Sequence, residues 1–230
     1  MKHSKDGFTL IELMLVVAVI TVLATVALPS LLSSRITANE AAAIGTLKNL
    51  ITAQSEFLTM IAIDRDSDGI GEAGYLAEMA GSQPLRDSGR VVVPPVLSGK
   101  MGIVNQGVVN QAGYFFRMFL PGPGGAPIGE DPDGGKADPT QVHTNLAEVH
   151  WVCYAWPSDF GDTGNRAFVA AHTGDLLQTS NRVQNYSGVG PGEKAPAGDA
   201  VFSVAGDMTS PISIRGVPPA VDTGLWVPVN

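Results

Sequence analysis

Between Phe8 and Leu32 the chain carries one charge, Glu12. Leu13 to Leu28 reads as a single apolar run, and with Phe8 to Leu10 and Leu31-Leu32 it reaches the roughly 20 residues a helix needs to cross a bilayer. A bare carboxylate at that depth costs about 3 kcal/mol on insertion scales. Glu12 therefore needs a partner, or the segment is an anchor that tolerates it. Three processing fates fit such a run. A secretory signal would be cut near Thr25-Val26-Ala27, with Pro29 close to the cut and Glu12 inside the apolar core. A plain signal anchor would hold an extracytoplasmic domain and leave Glu12 unexplained. A cut before the run, in the polar leader with Lys2 and Lys5, would keep the run in the mature chain.

The rest of the chain is long enough for one globular domain. Of its 230 residues, 44% are apolar, which suits a packed core. Net charge is −8, from 14 Lys and Arg against 22 Asp and Glu, so no nucleic-acid partner is expected, because a phosphate binder needs a basic face. The single cysteine, Cys153, excludes an intramolecular disulfide and reads as a small buried hydrophobe.

Beyond Pro29, which should bend the helix, apolar residues recur at Ala41, Ile44, Leu47, Leu50, Ile51, Phe57, Leu58 and Ile61. Spacings of three and four predict an amphipathic helix with one buried face. Arg35, Glu40, Lys48, Asn49, Gln54 and Glu56 fall on the other face. One helix from about Thr9 to Ile61 follows, apolar over 8–32 and amphipathic over 33–62. The stretch Asp64-Arg-Asp-Ser-Asp-Gly69 ends it. Asp64, Asp66 and Asp68 alternate ahead of Gly69, as in the front half of an EF-hand-type loop, and Glu72 follows. The residue at the twelfth loop position is Tyr75, so Glu72 or Glu78 would have to supply the last carboxylate. Calcium suits such hard oxygen ligands; a solvated acidic turn is the alternative.

Residues 63–230 form the head. A short helix is predicted over Gly74–Gly81, an edge strand or extended segment over Arg90–Leu97, and strands over Gly113–Leu120 and Glu148–Pro157. A strand, a turn at Thr173-Gly174-Asp175 and another strand follow over Arg166–Ser180. Tyr114, Phe116, Met118 and Leu120 share one strand face. Residues 121–141 read as a long flexible loop, and Asn181–Asn230 is a Gly/Pro-rich region that adds an edge strand or a surface flap. The fold class is α+β: a long N-terminal helix against a small antiparallel sheet. No catalytic residues are expected. Ser158, His172 and Asp175 can be drawn as a triad, but no nucleophile elbow surrounds Ser158. His150 reads as a packed or rim residue.

The hexapeptide Gly7-Phe-Thr-Leu-Ile-Glu12, behind a short basic leader and ahead of a long apolar helix, resembles the cleavage and methylation motif of type IV pilins and type II secretion pseudopilins. The resemblance covers Met1 to about Phe57. It implies a leader of residues 1–7, a cut after Gly7, N-methylation of Phe8, and a helix-bending role for Pro29. It also implies that Glu12 neutralises the new amine of a neighbouring subunit, which would reward the correct stagger because an unpaired buried charge is strongly unfavourable. The implied partners are copies of the chain and sibling subunits, a prepilin peptidase, an inner-membrane platform and an assembly ATPase. The head would be extracytoplasmic before assembly. The missing disulfide leans towards a pseudopilin, whereas the large head and the 121–141 loop suit a surface pilin or an adhesive tip subunit. A membrane-anchored binding protein using the same signal is the alternative of another class.

Overall fold

The computed structural model describes residues 8–229. The leader, with Gly7, lies outside them. A single helix, α1 (Leu10–Thr59), runs unbroken through Pro29. Its two halves have different surroundings. Phe8 to Leu32 is exposed along its described length, with Leu10 at 75% and Leu31 at 66%. From Glu40 onwards one face is buried by the head, through Ala43, Leu47, Leu50, Ala53 and Phe57.

The predicted face was close but rotated at its ends. Ala41 is exposed, and Ile61 lies past the helix with a positive φ of 51° and 45% exposure. Glu40 and Gln54, assigned to the solvent side, are buried. Each has partners that offset its desolvation. Gln54 donates to Gly74 O at 2.7 Å and accepts from Gly74 N at 3.1 Å, pinning the chain that returns from the end of α1.

The head holds α2 (Leu76–Met79), α3 (Thr144–Val149) and seven strands among the described residues: β1 (Val109–Gln111), β2 (Tyr114–Pro121), β3 (Pro127–Gly129), β4 (Val152–Pro157), β5 (Ala167–Ala171), β6 (Leu176–Thr179) and β7 (Val227–Pro228). All are antiparallel, in the order β1-β2-β4-β5-β6-β7, with β3 continuing beside β2 beyond β1. Tyr114, Phe116, Met118 and Leu120 do share the face turned to α1, together with Cys153, Ala155, Phe168 and Ala170.

Several expectations are corrected. Residues 121–141 are not one structureless loop: β3 pairs with β2, Ile128 packs on the core and Glu130 is buried. Residues 90–97 form an irregular segment with bends and no strand, since Pro94 and Pro95 deny a ladder two donors. The strand placed over 148–157 begins only at Val152, because Thr144–Val149 is helical and His150 caps that helix. The C-terminal region contributes more than an edge strand. Tyr186, Val201, Phe202, Met208 and Trp226 cover the sheet face remote from α1, packing on Val152, Tyr154, Trp156 and Val169. Polar ends of aromatic residues fasten this cover. Tyr154 Oη donates to Gly198 O and accepts from Val201 N, at 3.2 and 3.0 Å, and Trp156 Nε1 donates to Gly188 O at 2.8 Å.

Candidate functional site

Phe8, Thr9 and Glu12 sit at the free end of α1. Thr9 is its N-cap: Thr9 Oγ1 accepts from Glu12 N at 3.3 Å, and Glu12 Oε2 accepts from Thr9 N at 3.0 Å and from Thr9 Oγ1 at 2.8 Å. This reciprocal box satisfies backbone donors that the first helical turn leaves without partners. The Thr-x-x-Glu spacing that signals it, Thr9 to Glu12, is present in the sequence. Glu12 thus has a partner within its own chain, at the end of a helix that goes on to present Leu13, Met14, Leu15, Ile20 and Leu23 outward. Pro29, inside the same helix, lines a groove with Leu32, Ser33, Ile36 and Thr37 on one side and Asn165 and Arg166 of the head on the other.

The head grips α1 where burial begins. Glu40 Oε1 accepts from Asn165 N and Arg166 N at 3.0 and 3.1 Å, and Glu40 Oε2 lies 2.6 Å from Arg166 Nη2. Asn39 Nδ2 donates to Thr163 O at 2.9 Å. A carboxylate with backbone donors and a guanidinium is well satisfied despite its burial.

The loop after α1 brings Asp64, Asp66 and Asp68 together, one carboxylate oxygen of each lying within 4.8 Å of the others. Oxygens 2.3–2.6 Å from one calcium ion span such distances. Asp64 Oδ1 is buried without a hydrogen-bond partner. Glu72 is not part of this group. It is buried against two guanidiniums, with Arg65 Nη2 at 2.8 Å and Arg86 Nη2 at 3.1 Å. Burial pushes its pKa up, but those cations outweigh burial and hold it below the usual carboxylate range. Glu78 is likewise taken, 2.7 Å from Arg86 Nη1. The further carboxylate near the aspartates is Glu148 of α3. Its pKa is raised by burial and by repulsion from Asp68 and Asp66, and its Oε1 is buried without a partner. Only folding brings it there, from some eighty positions away in sequence, so local spacing offered no signal.

The drawn triad is not assembled. Ser158 Oγ bonds Gly113 O and Thr163 Oγ1, beyond the end of β4. His172 follows β5, where its N donates to Trp151 O, at the opposite end of the β4–β5 ladder. Cys153 is fully buried, and burial pushes its thiol far up, as suits an inert core residue.

Comparison with known proteins agrees with the stem. Residues 2–28 match the family described as the prokaryotic N-terminal methylation motif. The chain is 43% identical over 72 residues to the type IV major pilin protein PilA of Myxococcus xanthus, covering 31% of this chain and 32% of that protein. It is 36% identical over 77 residues to the type IV wide pilus major component PilA4 of Thermus thermophilus, covering 34% of this chain and 55% of that protein. The matched segments thus span about a third and about half of these relatives. No solved structure matches. Over its N-terminal third the chain is thus similar to type IV pilins, and it carries the methylation motif at the start of a long helix that packs against an antiparallel sheet.

Proposed function

We propose that this chain is a structural subunit that polymerises through α1 into a type IV pilus. Cleavage would fall between Gly7 and Phe8, and Phe8 would be methylated. The observation that carries this reading is the half-exposed helix. Leu10, Ile11, Leu13, Met14 and Leu15 are all more than 60% exposed on the same helix whose later half is core. An apolar surface of that length needs a bilayer before assembly and other helices after it. The relatives are described as major pilus components, which favours a pilus over a secretion pseudopilus. Self, sibling subunits, a prepilin peptidase and an inner-membrane platform are the partners this role requires. The test is the N-terminus and intact mass of the protein from membrane and sheared-surface fractions, with electron microscopy of the sheared material. A chain starting at Phe8, heavier by one methyl group, in surface fibres is the expected result. A chain starting at Met1, or one cut near Ala27, would overturn it.

A second role is proposed for the loop after α1: binding calcium through Asp64, Asp66 and Asp68, with Glu148 in place of Glu72. It rests on the convergence of the three carboxylates and the orphaned oxygens of Asp64 and Glu148. Calcium would offset the mutual repulsion of these groups and fix the return of the chain from α1 onto the head.

A further inference from the structure

The sheet face remote from α1 is not wholly covered. Beside its β1 edge a hollow of about 550 Å³ stays open, a size within the roughly 300–1,000 Å³ of small-molecule sites. Val108, Phe115 and Val189 of the outer layer give it an apolar side. Lys100, Asn105, Gln106 and Asn110 line it as well, and all four are exposed. The backbone holds these amides in place. Asn105 and Val108 exchange both backbone hydrogen bonds, at 2.9 and 3.2 Å, across a turn in which Gln106 and Gly107 have φ of 55° and 71°. Two positive φ values mark the hairpin turn whose twist matches its strands. Gly107 N donates to Pro132 O at 3.2 Å, and a Cβ on Gly107 would stand 2.8 Å from Glu130 O, so the turn is seated against the chain at 130–132. Asn110 stands opposite Phe115 in the β1–β2 ladder, which puts amide and ring on one sheet face. Gln111 lines the hollow too, but its Oε1 is shut off from solvent and offers a ligand no acceptor.

We propose that this hollow binds a sugar ring of a neutral saccharide, with Phe115 against the ring's C–H face and the amides of Asn105, Gln106 and Asn110 on its hydroxyls. A pyranose is apolar on its faces and polar around its rim, as the hollow is. Each amide brings two donors and an acceptor, the complement of a hydroxyl's one donor and two acceptors. Lys100 adds a further donor. One cation is too few for a nucleic acid or other polyphosphate, which needs a basic face. An extended peptide would add to the β1 edge, but three residues give it little ladder to join. The fixed turn keeps down the ordering cost of binding. The hollow lies away from α1, so subunits packed through α1 would leave it open. Binding itself requires no fibre, so it stands or falls apart from the polymer reading.

The test uses the full chain in a detergent without a sugar headgroup. Cellotriose, maltotriose and mannotriose are the probes, and trialanine is the peptide control, each titrated by saturation-transfer NMR. At least one trisaccharide should saturate in the millimolar range, with transfer strongest at its ring C–H protons. Asn105→Ala and Asn110→Ala should each weaken that binding by about threefold to tenfold, the worth of one hydrogen bond. Phe115→Leu keeps an apolar side chain without the flat ring and should weaken it further. Asn49→Ala, on the stem, should bind as wild type does. Asn105 and Asn110 are exposed, so their variants decide should Phe115→Leu fail to fold. No saturation with any of the three sugars, undiminished binding in both asparagine variants, or saturation by trialanine alone would overturn the proposal, and the last would hand the edge to a peptide.

Discussion

Glu40 and Arg166 join the stem to the head through a 2.6 Å ion pair reinforced by two backbone N–H donors from residues 165 and 166. Glu40→Ala would strand those donors. A loss of about 1–3 kcal/mol in head stability is expected, and Glu40→Gln, which keeps an acceptor for the backbone groups, should lose less. Thermal melts of the three chains in detergent would check the order; equal melting of all three would show the clasp to be idle.

Two buried carboxylates titrate in opposite senses. Glu72 is held low by Arg65 and Arg86, so its contribution is present above the ordinary carboxylate pKa and fades as pH falls through its lowered value. Glu130 is pushed up to about 8, chiefly by burial, although its Oε1 accepts from Ala77 N and Gly135 N. Folded Glu130 keeps its proton where the unfolded chain has lost it, so its contribution is greatest at low pH and falls between about 4.5 and 8. Glu130→Gln retains an acceptor and cannot ionise. Its stability relative to wild type should rise from pH 5 to pH 8, measured by denaturant titration at both values. A constant difference would mean that Glu130 titrates normally.

Gly71 leaves no room for a side chain. A Cβ there would stand 2.2 Å from Leu58 O in the last turn of α1. The atoms it would meet, in Leu58 and Ile61, are all backbone, so relief requires moving the loop. Gly71→Ala should cost about 2 kcal/mol or more, whereas Gly45→Ala, with nothing within 4 Å, should be neutral or mildly stabilising. Chemical denaturation of the two variants separates these outcomes.

If Asp64, Asp66 and Asp68 hold calcium, millimolar calcium should raise the melting temperature of the wild type, and Asp66→Asn/Asp68→Asn should abolish most of that rise. The double variant should itself be as stable as wild type, or more so, in chelator, since it relieves repulsion. Equal calcium shifts in both chains would remove the loop from consideration.

Glu12→Ala should leave cleavage at Gly7 intact and impair fibre formation, scored by mass spectrometry and by counting sheared fibres. Thr9→Ala removes the same cap from the other side and should cost the helix end about 1 kcal/mol, yet it leaves Glu12 free to meet a neighbour's amine. Fibres from Thr9→Ala but not from Glu12→Ala would separate pairing between subunits from capping within one. Normal fibres from Glu12→Ala would sink the pairing idea.

The stem was legible because it depends on local order: one charge in an apolar run, then apolar residues three and four apart. The strands Tyr114–Pro121, Ala167–Ala171 and Leu176–Thr179 were legible for the same reason. What escaped depends on distant partners. Glu40 and Gln54 look like surface residues until the loop at 165–166 and Gly74 supply their hydrogen bonds. Glu72 looks like a metal ligand until Arg86 arrives to claim it. The second core layer did leave a trace: Trp151 to Trp156 and Ala167 to Ala171 are apolar at every position, where a sheet wet on one face would alternate. That absence of alternation called for a second cover, and residues 186–226 supply it.

In a fibre of the kind proposed, each subunit would be pulled lengthwise along its stem. The head is fastened at two levels of that stem, by Asn39 and Glu40 at the lower end and by Gln54 near the upper one. Tension along α1 would therefore load both fastenings side by side, as shear, instead of opening them one after the other like a zip. Bonds that must fail together resist far more force than bonds that fail in turn.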